Sequence, residues 1–107
     1  MSKQYEKGRA FEYEIIDRIK ELSPDAHAGR NAGSHGWFDV WAIVPDPFDP
    51  SKGNLHLIQA KTQKGKKPTK ENREAWEKMK LIEIPKILIP KKEFWIKIKG
   101  HIIAWGE

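Results

Sequence analysis

Residues 36–61 constrain the fold of this chain most, because their pattern predicts a β-hairpin within the domain. Both arms are rich in aromatic, β-branched and aliphatic side chains, and they flank a loop with three prolines, residues 45–53. If the hairpin is symmetric about this loop, Val44 faces Asn54. Both faces of the first arm are mostly apolar, which predicts a central strand covered on both sides.

Three polar side chains stand out in this apolar hairpin. In the same register Asp39 faces Gln59, and directly opposed side chains have Cβ atoms about 4.5–5.5 Å apart. Lys61 joins them, because residues two apart on a strand share a face. Burying such groups costs free energy unless they are paired or bind a ligand. An ion pair between Asp39 and Lys61 is therefore one interpretation, and a binding site is the other.

A fourth polar group, Glu12, comes from an amphipathic helix predicted over residues 3–22. At about 100° per residue, Glu12 falls within the apolar arc of this helix. The arc consists of Phe11, Ile15, Ile16, Ile19 and Leu22. Glu12 is then either a boundary residue, extended to solvent or paired with Arg9 or Lys20, or a member of a polar site.

The remaining pattern predicts one domain over residues 1–107, an α/β fold with a mixed sheet flanked by helices in the order α-β-β-β-α-β-β. The other predicted elements are a short strand from Asp25, a polar turn over 29–36, a helix over 70–81 capped by Thr69, and strands over 84–90 and 94–99. The apolar face of the second helix is Ala75, Trp76 and Met79. The apolar tail, residues 101–107, either completes the core or forms a partner surface.

The charge of the chain favours a polyanionic partner. Its formal net charge is +5 and its pI about 9.5, which places nucleic acid first among partners. Residues 61–70 hold five lysines and no acid. Such a run is often only a solvated loop, but this one leaves directly from the strand that carries Gln59 and Lys61.

Several protein classes are excluded by what the sequence lacks. Without cysteine there are no disulfides or thiolate metal sites, and four histidines without close spacing argue against a zinc site. No apolar run is long enough for a transmembrane helix, and the N-terminus has no secretory signal. We therefore expect a cytoplasmic protein without membrane contact.

The polar residues meet the needs of phosphodiester hydrolysis. A divalent cation polarises the phosphoryl oxygens and lowers the pKa of a bound water. Mg²⁺ prefers oxygen ligands, usually one or two carboxylates with waters. Glu12 and Asp39 supply carboxylates, and Gln59 supplies an amide oxygen. The ammonium of Lys61 can orient the attacking water or offset charge on the phosphate.

At these residues the chain resembles a nuclease family. Asp39, followed twenty residues later by Gln59-Ala60-Lys61, is similar to the PD-(D/E)xK motif. Three segments resemble archaeal-type Holliday-junction resolvases: Lys7-Gly8-Arg9-Ala10-Phe11-Glu12, Arg30-Asn31-Ala32-Gly33-Ser34 and Ile58-Gln59-Ala60-Lys61-Thr62. The similarity covers about residues 7–70.

The resemblance implies a restriction-endonuclease-like fold and a homodimer that makes paired nicks in four-way DNA junctions with Mg²⁺, or with Mn²⁺ in its place. The implied catalytic residues are Glu12, Ser34, Asp39, Gln59 and Lys61. The implied metal ligands are Glu12, Asp39, Gln59 and the backbone carbonyl of Ala60. The basic residues expected to bind DNA phosphates are Arg9, Arg30, Lys64, Lys66 and Lys67, and Trp37 is a candidate to pack against DNA.

The chain departs from the family at Gln59, where the family usually has glutamate. An amide oxygen can still bind a metal ion, but one negative charge is lost, so metal binding should weaken. Two alternatives to junction cleavage therefore stay open. One is a non-catalytic nucleic-acid-binding relative of the same fold, and the other is a nuclease that acts on linear or single-stranded DNA.

Overall fold

The computed structural model describes residues 3–31, 37–49, 51–82 and 91–106 of the 107-residue chain. These residues form an α/β fold, a five-stranded mixed sheet flanked by helices. The elements in chain order are α1 (Lys3–Leu22), β1 (His27–Arg30), β2 (Val40–Pro45), β3 (Gly53–Gln63), α2 (Lys70–Lys80), β4 (Lys91–Ile98) and β5 (His101–Gly106).

The strands lie in the sheet in the order of the sequence, β1-β2-β3-β4-β5. Neighbouring strands are antiparallel except for β3 and β4, which run parallel. Parallel neighbours need a crossover connection, and α2 lies in the connection between these two strands.

Each face of the sheet is covered by one helix. Phe11 and Ile15 of α1 pack against Val40 and Ile58, all of them buried. On the other face, α2 is buried against β4 through Trp76, Met79, Phe94 and Ile96. Strand β2 is buried on the α1 face, through Val40 and Ala42, whereas Ile43 on its other face is 48% exposed. The prediction that this strand is covered on both sides is therefore met on one face only, because α2 packs on β4 and not on β2. In the described part of the chain, no helix is long and apolar enough to cross a membrane.

The predicted hairpin register is confirmed. Val44 pairs with Asn54, and the ladder ends with Val40 opposite Ile58. Asp39, the next residue, lies beyond this ladder, and it bonds to the backbone of Ile58 and Ala60, the residues on either side of Gln59.

The loop of the hairpin is closed by its own hydrogen bonds. The backbone N–H of Asp46 donates to the carbonyl of Lys52 at 2.9 Å, and Lys52 N–H donates to the Asp49 carbonyl at 2.9 Å. The carboxylate of Asp46 also accepts the Phe48 N–H at 2.8 Å. Phe48 itself is 95% exposed, so the aromatic ring at the tip of the loop does not pack against the sheet.

The two helices begin and end close to the predicted residues. Helix α1 spans Lys3–Leu22, as predicted, and Thr69 caps α2 by accepting the Asn72 N–H at 3.1 Å. Leu22 is the exception within the apolar arc, because it is 85% exposed. It is the last residue of α1, and the chain turns away there at Ser23 and Pro24.

The predicted turn over residues 29–36 begins too early. Gly29 and Arg30 belong to strand β1, and residues 32–36 lie outside the described part of the chain. Gly29 pairs with Trp41 of β2. A Cβ atom at Gly29 would stand 2.8 Å from Cζ2 of the Trp41 ring, so this glycine makes room for an aromatic side chain.

The C-terminal tail completes the sheet. It forms β5, which pairs antiparallel with β4 from Ile98 opposite His101 to Glu93 opposite Gly106. The tight turn between them is formed by Lys99 and Gly100, both with positive φ, 45° and 84°, as two-residue hairpin turns require. The strand predicted over 94–99 therefore ends at Ile98, and the strand predicted over 84–90 lies outside the described residues.

Candidate functional site

Asp39 is held against β3 at the point where the β2 ladder ends. Its backbone N–H donates to the Ile58 carbonyl at 2.8 Å. Its carboxylate Oδ2 accepts the backbone N–H of Ala60 at 3.1 Å. The carboxylate thus takes a hydrogen bond from a strand N–H, and these two contacts fix Asp39 beside Gln59.

The backbone of Ala60 presents a second oxygen to the same region. In a strand, the N–H and C=O of one residue point toward the same neighbouring strand. Because the Ala60 N–H meets Asp39, its carbonyl also faces the β2 side. The backbone ligand implied by the resemblance therefore lies on the side where Asp39 stands.

Gln59 brings an unsatisfied oxygen. Its Oε1 atom is buried and has no hydrogen-bond partner among the described residues. A buried acceptor left unpaired costs about 1–3 kcal/mol, and a ligand at this oxygen would remove that cost. Such groups in native structures commonly mark a functional position or an unseen ion or water.

Gln59 and Lys61 line a cavity of about 340 Å³ between β3 and α2. Its other walls include the aromatic rings of Trp37 and Phe94 and the side chain of Met79. The Lys61 side chain is exposed, and its ammonium makes no hydrogen bond or ion pair with the described residues. The Asp39–Lys61 ion pair, one interpretation of the polar cluster, is therefore not formed.

Glu12 is engaged elsewhere, with Arg30 of β1. The Arg30 Nε donates to Glu12 Oε1 at 2.9 Å, and both side chains are largely buried, 17% and 18% exposed. Arg30 also lies over the Tyr13 ring, 5.1 Å from its centroid. The hydrogen bond to Glu12 raises the pKa of the Arg30 guanidinium. Glu12 thus forms an ion pair, one of the two interpretations of its place on the helix, but with Arg30, a partner that the helix pattern does not indicate.

The acidic side chains do not form a metal cluster by themselves. Within the described residues, no group of three or more histidine, cysteine, aspartate and glutamate side chains is placed to hold a metal ion. The Asp39 carboxylate and the Ala60 carbonyl lie on the β2 side of β3, whereas Gln59, the residue before Ala60, lines the cavity towards α2. Ser34, the remaining implied catalytic residue, lies outside the described residues.

The lysine-rich loop after β3 is folded around Gln63. The Gln63 amide nitrogen donates to the carbonyl of Lys67 at 2.6 Å and to that of Lys64 at 3.2 Å. Its oxygen accepts the Thr69 N–H at 3.2 Å and the Asn72 amide at 2.7 Å. Lys64, Lys66 and Lys67 are exposed. The loop therefore presents its ammonium groups from an ordered backbone.

Sequence reasoning missed Gln63 because a lone polar residue at a strand end has no distinguishing pattern. It also missed the pair that His56 forms with Glu93, since this contact needs the parallel pairing of β3 with β4. Trp37, by contrast, was singled out for its place beside the polar cluster, and it lines the cavity with Gln59.

The chain matches no protein-family model, no curated protein and no solved structure. The functional interpretation therefore depends on the residues themselves.

Proposed function

We propose that this chain is a metal-dependent endonuclease with a restriction-endonuclease-like fold, acting on four-way DNA junctions. One observation carries the proposal. The Asp39 carboxylate accepts the N–H of Ala60 at 3.1 Å, and the residue before Ala60, Gln59, has a buried oxygen without a partner among the described residues. Lys61, without a partner among the described residues, extends from the same face of β3.

The donor set fits a hard divalent cation. Asp39, Gln59 and the Ala60 carbonyl offer only oxygen atoms, which Mg²⁺ and Mn²⁺ prefer. Glu12 would join them only by exchanging its contact with Arg30. When bound, the cation would polarise the phosphoryl group and lower the pKa of a water. Asp39 and Gln59 would hold it, and Lys61 would offset charge on the phosphate.

The basic residues support a DNA substrate. Lys64, Lys66 and Lys67 follow β3 immediately after the proposed site, on the loop that Gln63 orders. Phosphate backbone bound there would pass Lys61 and the metal ligands. Arg9 and Arg30 would extend the contact, Arg30 only after releasing Glu12. Such binding releases counterions and must weaken as salt rises.

A homodimer completes the proposal, because paired nicks in a junction need two active sites. The apolar residues of β5, which include Ile102, Ile103 and Trp105, are half-buried and belong to a strand paired on one side with β4. We propose that this strand contributes to the dimer, and that the enzyme works in the cytoplasm, where DNA is its substrate.

Cleavage assays test the function directly. The protein is incubated with a four-way junction, a linear duplex and a single strand, each with Mg²⁺ or Mn²⁺. We expect paired nicks in the junction only. Cleavage confined to linear or single-stranded DNA would change the substrate class. If the protein binds these substrates but cleaves none of them with either metal, the proposal that it is an enzyme is wrong.

A non-catalytic DNA-binding protein is the second candidate, and two observations favour it. Gln59 supplies no charge, and Arg30 already neutralises Glu12 at 2.9 Å. Among the described residues, Asp39 is then the only acid at this site that is available to bind a cation. The substitution Gln59→Glu separates the candidates, because added charge should increase activity in an enzyme and create none in a binding protein that lacks the remaining machinery.

A further inference from the structure

The cavity beside Gln59 is larger and more aromatic than a metal site requires. It has a volume of about 340 Å³ and lies between β3 and α2. This volume lies at the lower end of the range of ligand pockets, about 300–1,000 Å³, and the cavity is open to solvent, so it has room for no more than a single small planar group. Mg²⁺ needs oxygen ligands, whereas this cavity has the half-buried ring of Trp37 in its wall, with the buried side chains of Met79 and Phe94 behind it, 4% and 1% exposed.

We propose that this cavity receives one unpaired nucleobase of the DNA, next to the phosphate that is cut. The inference rests on the proposed function and adds a substrate feature to it. Gln59 lines the cavity and also stands beside Asp39, so a base in the cavity would bring its own phosphate to the metal ligands.

The ring of Trp37 is held in place by its neighbours before any ligand arrives. The Lys92 ammonium lies 5.9 Å from its ring centroid, and the Phe38 ring meets it edge-on at 5.3 Å. Neither of these residues lines the cavity. Lys92 is fixed in turn by the carbonyls of Lys80 and Ile82. Because aromatic faces accept any base, such a platform recognises an unpaired base without reading its identity.

Two ammonium groups line the same cavity. Lys61 belongs to β3 and Lys78 to α2, and both are exposed. Two other lysines of α2 are paired with acids of the same helix, Lys70 with Glu74 at 3.8 Å and Lys80 with Glu77 at 3.0 Å. Lys61 and Lys78 have no such partner among the described residues. Cations flanking an aromatic cavity suit the phosphates on either side of a stacked base.

A matched pair of DNA probes tests the inference. One is a labelled duplex with a single extrahelical adenine, and the other carries an abasic site at that position. Affinities are measured by fluorescence anisotropy in metal-free buffer, so cleavage cannot interfere. Since a stacked base contributes a factor of about 5 to 150 in affinity, we expect the adenine probe to bind at least about fivefold more tightly.

Two variants remove this preference by different routes. Trp37→Leu deletes the stacking ring, with Trp37→Phe as the control that keeps one. Ala75→Phe fills the cavity from α2, with Ala75→Ser as the control that leaves it open. Trp37→Leu and Ala75→Phe should each bind the two probes with equal affinity, and this affinity should match that of the wild-type protein for the abasic probe. If Trp37→Leu fails to fold by circular dichroism, the Ala75 pair carries the test.

The outcomes separate this inference from the proposed function. If the wild-type protein binds both probes with equal affinity, the cavity does not bind a base, and the proposed nuclease function is unaffected. A preference that survives in Ala75→Phe also overturns it. Free deoxyadenosine monophosphate that competes as well as the adenine probe would assign the cavity to nucleotides instead of DNA. A preference seen without any cleavage activity supports the cavity and overturns the nuclease.

Discussion

The ammonium of Lys92, on β4, donates to the carbonyl of Lys80 at 3.1 Å and thereby caps the last residue of α2. Lys92 is only 5% exposed, which is rare for a lysine. A cation is favourable at the carboxyl end of a helix, where carbonyls lack partners within the helix. This contact connects α2 to the sheet next to Trp37, and so it helps to position one wall of the cavity.

Replacing this lysine should weaken the fold. Lys92→Met keeps the apolar stem but leaves the carbonyls of Lys80 and Ile82 without their donor. Hydrogen bonds to charged groups contribute about 1.5–3 kcal/mol, so we expect a loss of about 1–3 kcal/mol in the free energy of unfolding. Denaturant titration measures this loss. The exposed neighbour Lys91 is the control, and Lys91→Met should change little.

Removing the charge of Asp39 should abolish cleavage without unfolding the protein. Asn has an oxygen that can still accept the Ala60 N–H, so Asp39→Asn should melt close to the wild-type temperature. Loss of a ligand charge should exceed the 10–100-fold effect of changing an outer-shell partner, so we expect cleavage to fall by at least about 100-fold. Junction cleavage at saturating Mg²⁺ is the measurement. Unchanged cleavage would mean that the metal site lies elsewhere.

Gln59→Glu should lower the Mg²⁺ concentration needed for half-maximal cleavage. The added carboxylate would restore one negative charge beside Asp39 and attract the cation more strongly. A Mg²⁺ titration of the cleavage rate checks this, with Gln59→Leu as the variant that removes the oxygen altogether. Reduced cleavage by the glutamate variant at every Mg²⁺ concentration would contradict a metal-binding role for the amide.

The Glu12–Arg30 pair should stabilise the fold over a wide pH range. Arg30→Met would leave the largely buried Glu12 carboxylate unpaired, which we expect to cost about 1–3 kcal/mol. A group with a raised pKa stabilises the folded state below its ordinary pKa and loses that effect only as pH rises past the raised value. For an arginine this lies far above neutrality, so the arginine's contribution should persist to about pH 10. Denaturant titrations of both proteins at several pH values test this; a difference that vanishes between pH 7 and 10 would contradict it.

The lysine loop should set the salt dependence of DNA binding. Each phosphate contact contributes about 0.9 to the slope of log affinity against log salt for duplex DNA. Replacing Lys64, Lys66 and Lys67 together with glutamine should therefore reduce this slope by up to about 2.7. Anisotropy titrations at several salt concentrations measure it. Gln63→Ala, which keeps all three charges but removes the bonds that order the loop, should lower affinity and leave the slope nearly unchanged.

The sequence predicts local structure well here because local chemistry determines it. The hairpin register follows from symmetry about the proline loop, and Thr69 caps α2 as its side chain and position indicate. The structure of the tail, residues 101–107, is harder to predict from the sequence. Its role as β5 depends on pairing with β4 and on two positive φ angles in the turn between the two strands.

The site is predictable only in part, because some of its contacts depend on tertiary packing. Asp39, Gln59 and Lys61 come from one hairpin, so their register brings them together. Glu12 comes from α1, and its partner Arg30 is known only once β1 packs beneath that helix. The cavity likewise depends on where α2 crosses the sheet, which no period in the sequence reveals.

The closed loop of the β2–β3 hairpin has a consequence for experiment. Its ends are joined through Asp46 and Lys52 at 2.9 Å, and its tip at Phe48 is almost fully exposed. The strand ladder ends at Pro45 opposite Gly53, so the exposed tip takes no part in the pairing that leads to Asp39. A fluorophore or an affinity tag inserted near residue 48 should therefore leave the proposed chemistry undisturbed, giving a handle for following DNA binding on an active protein.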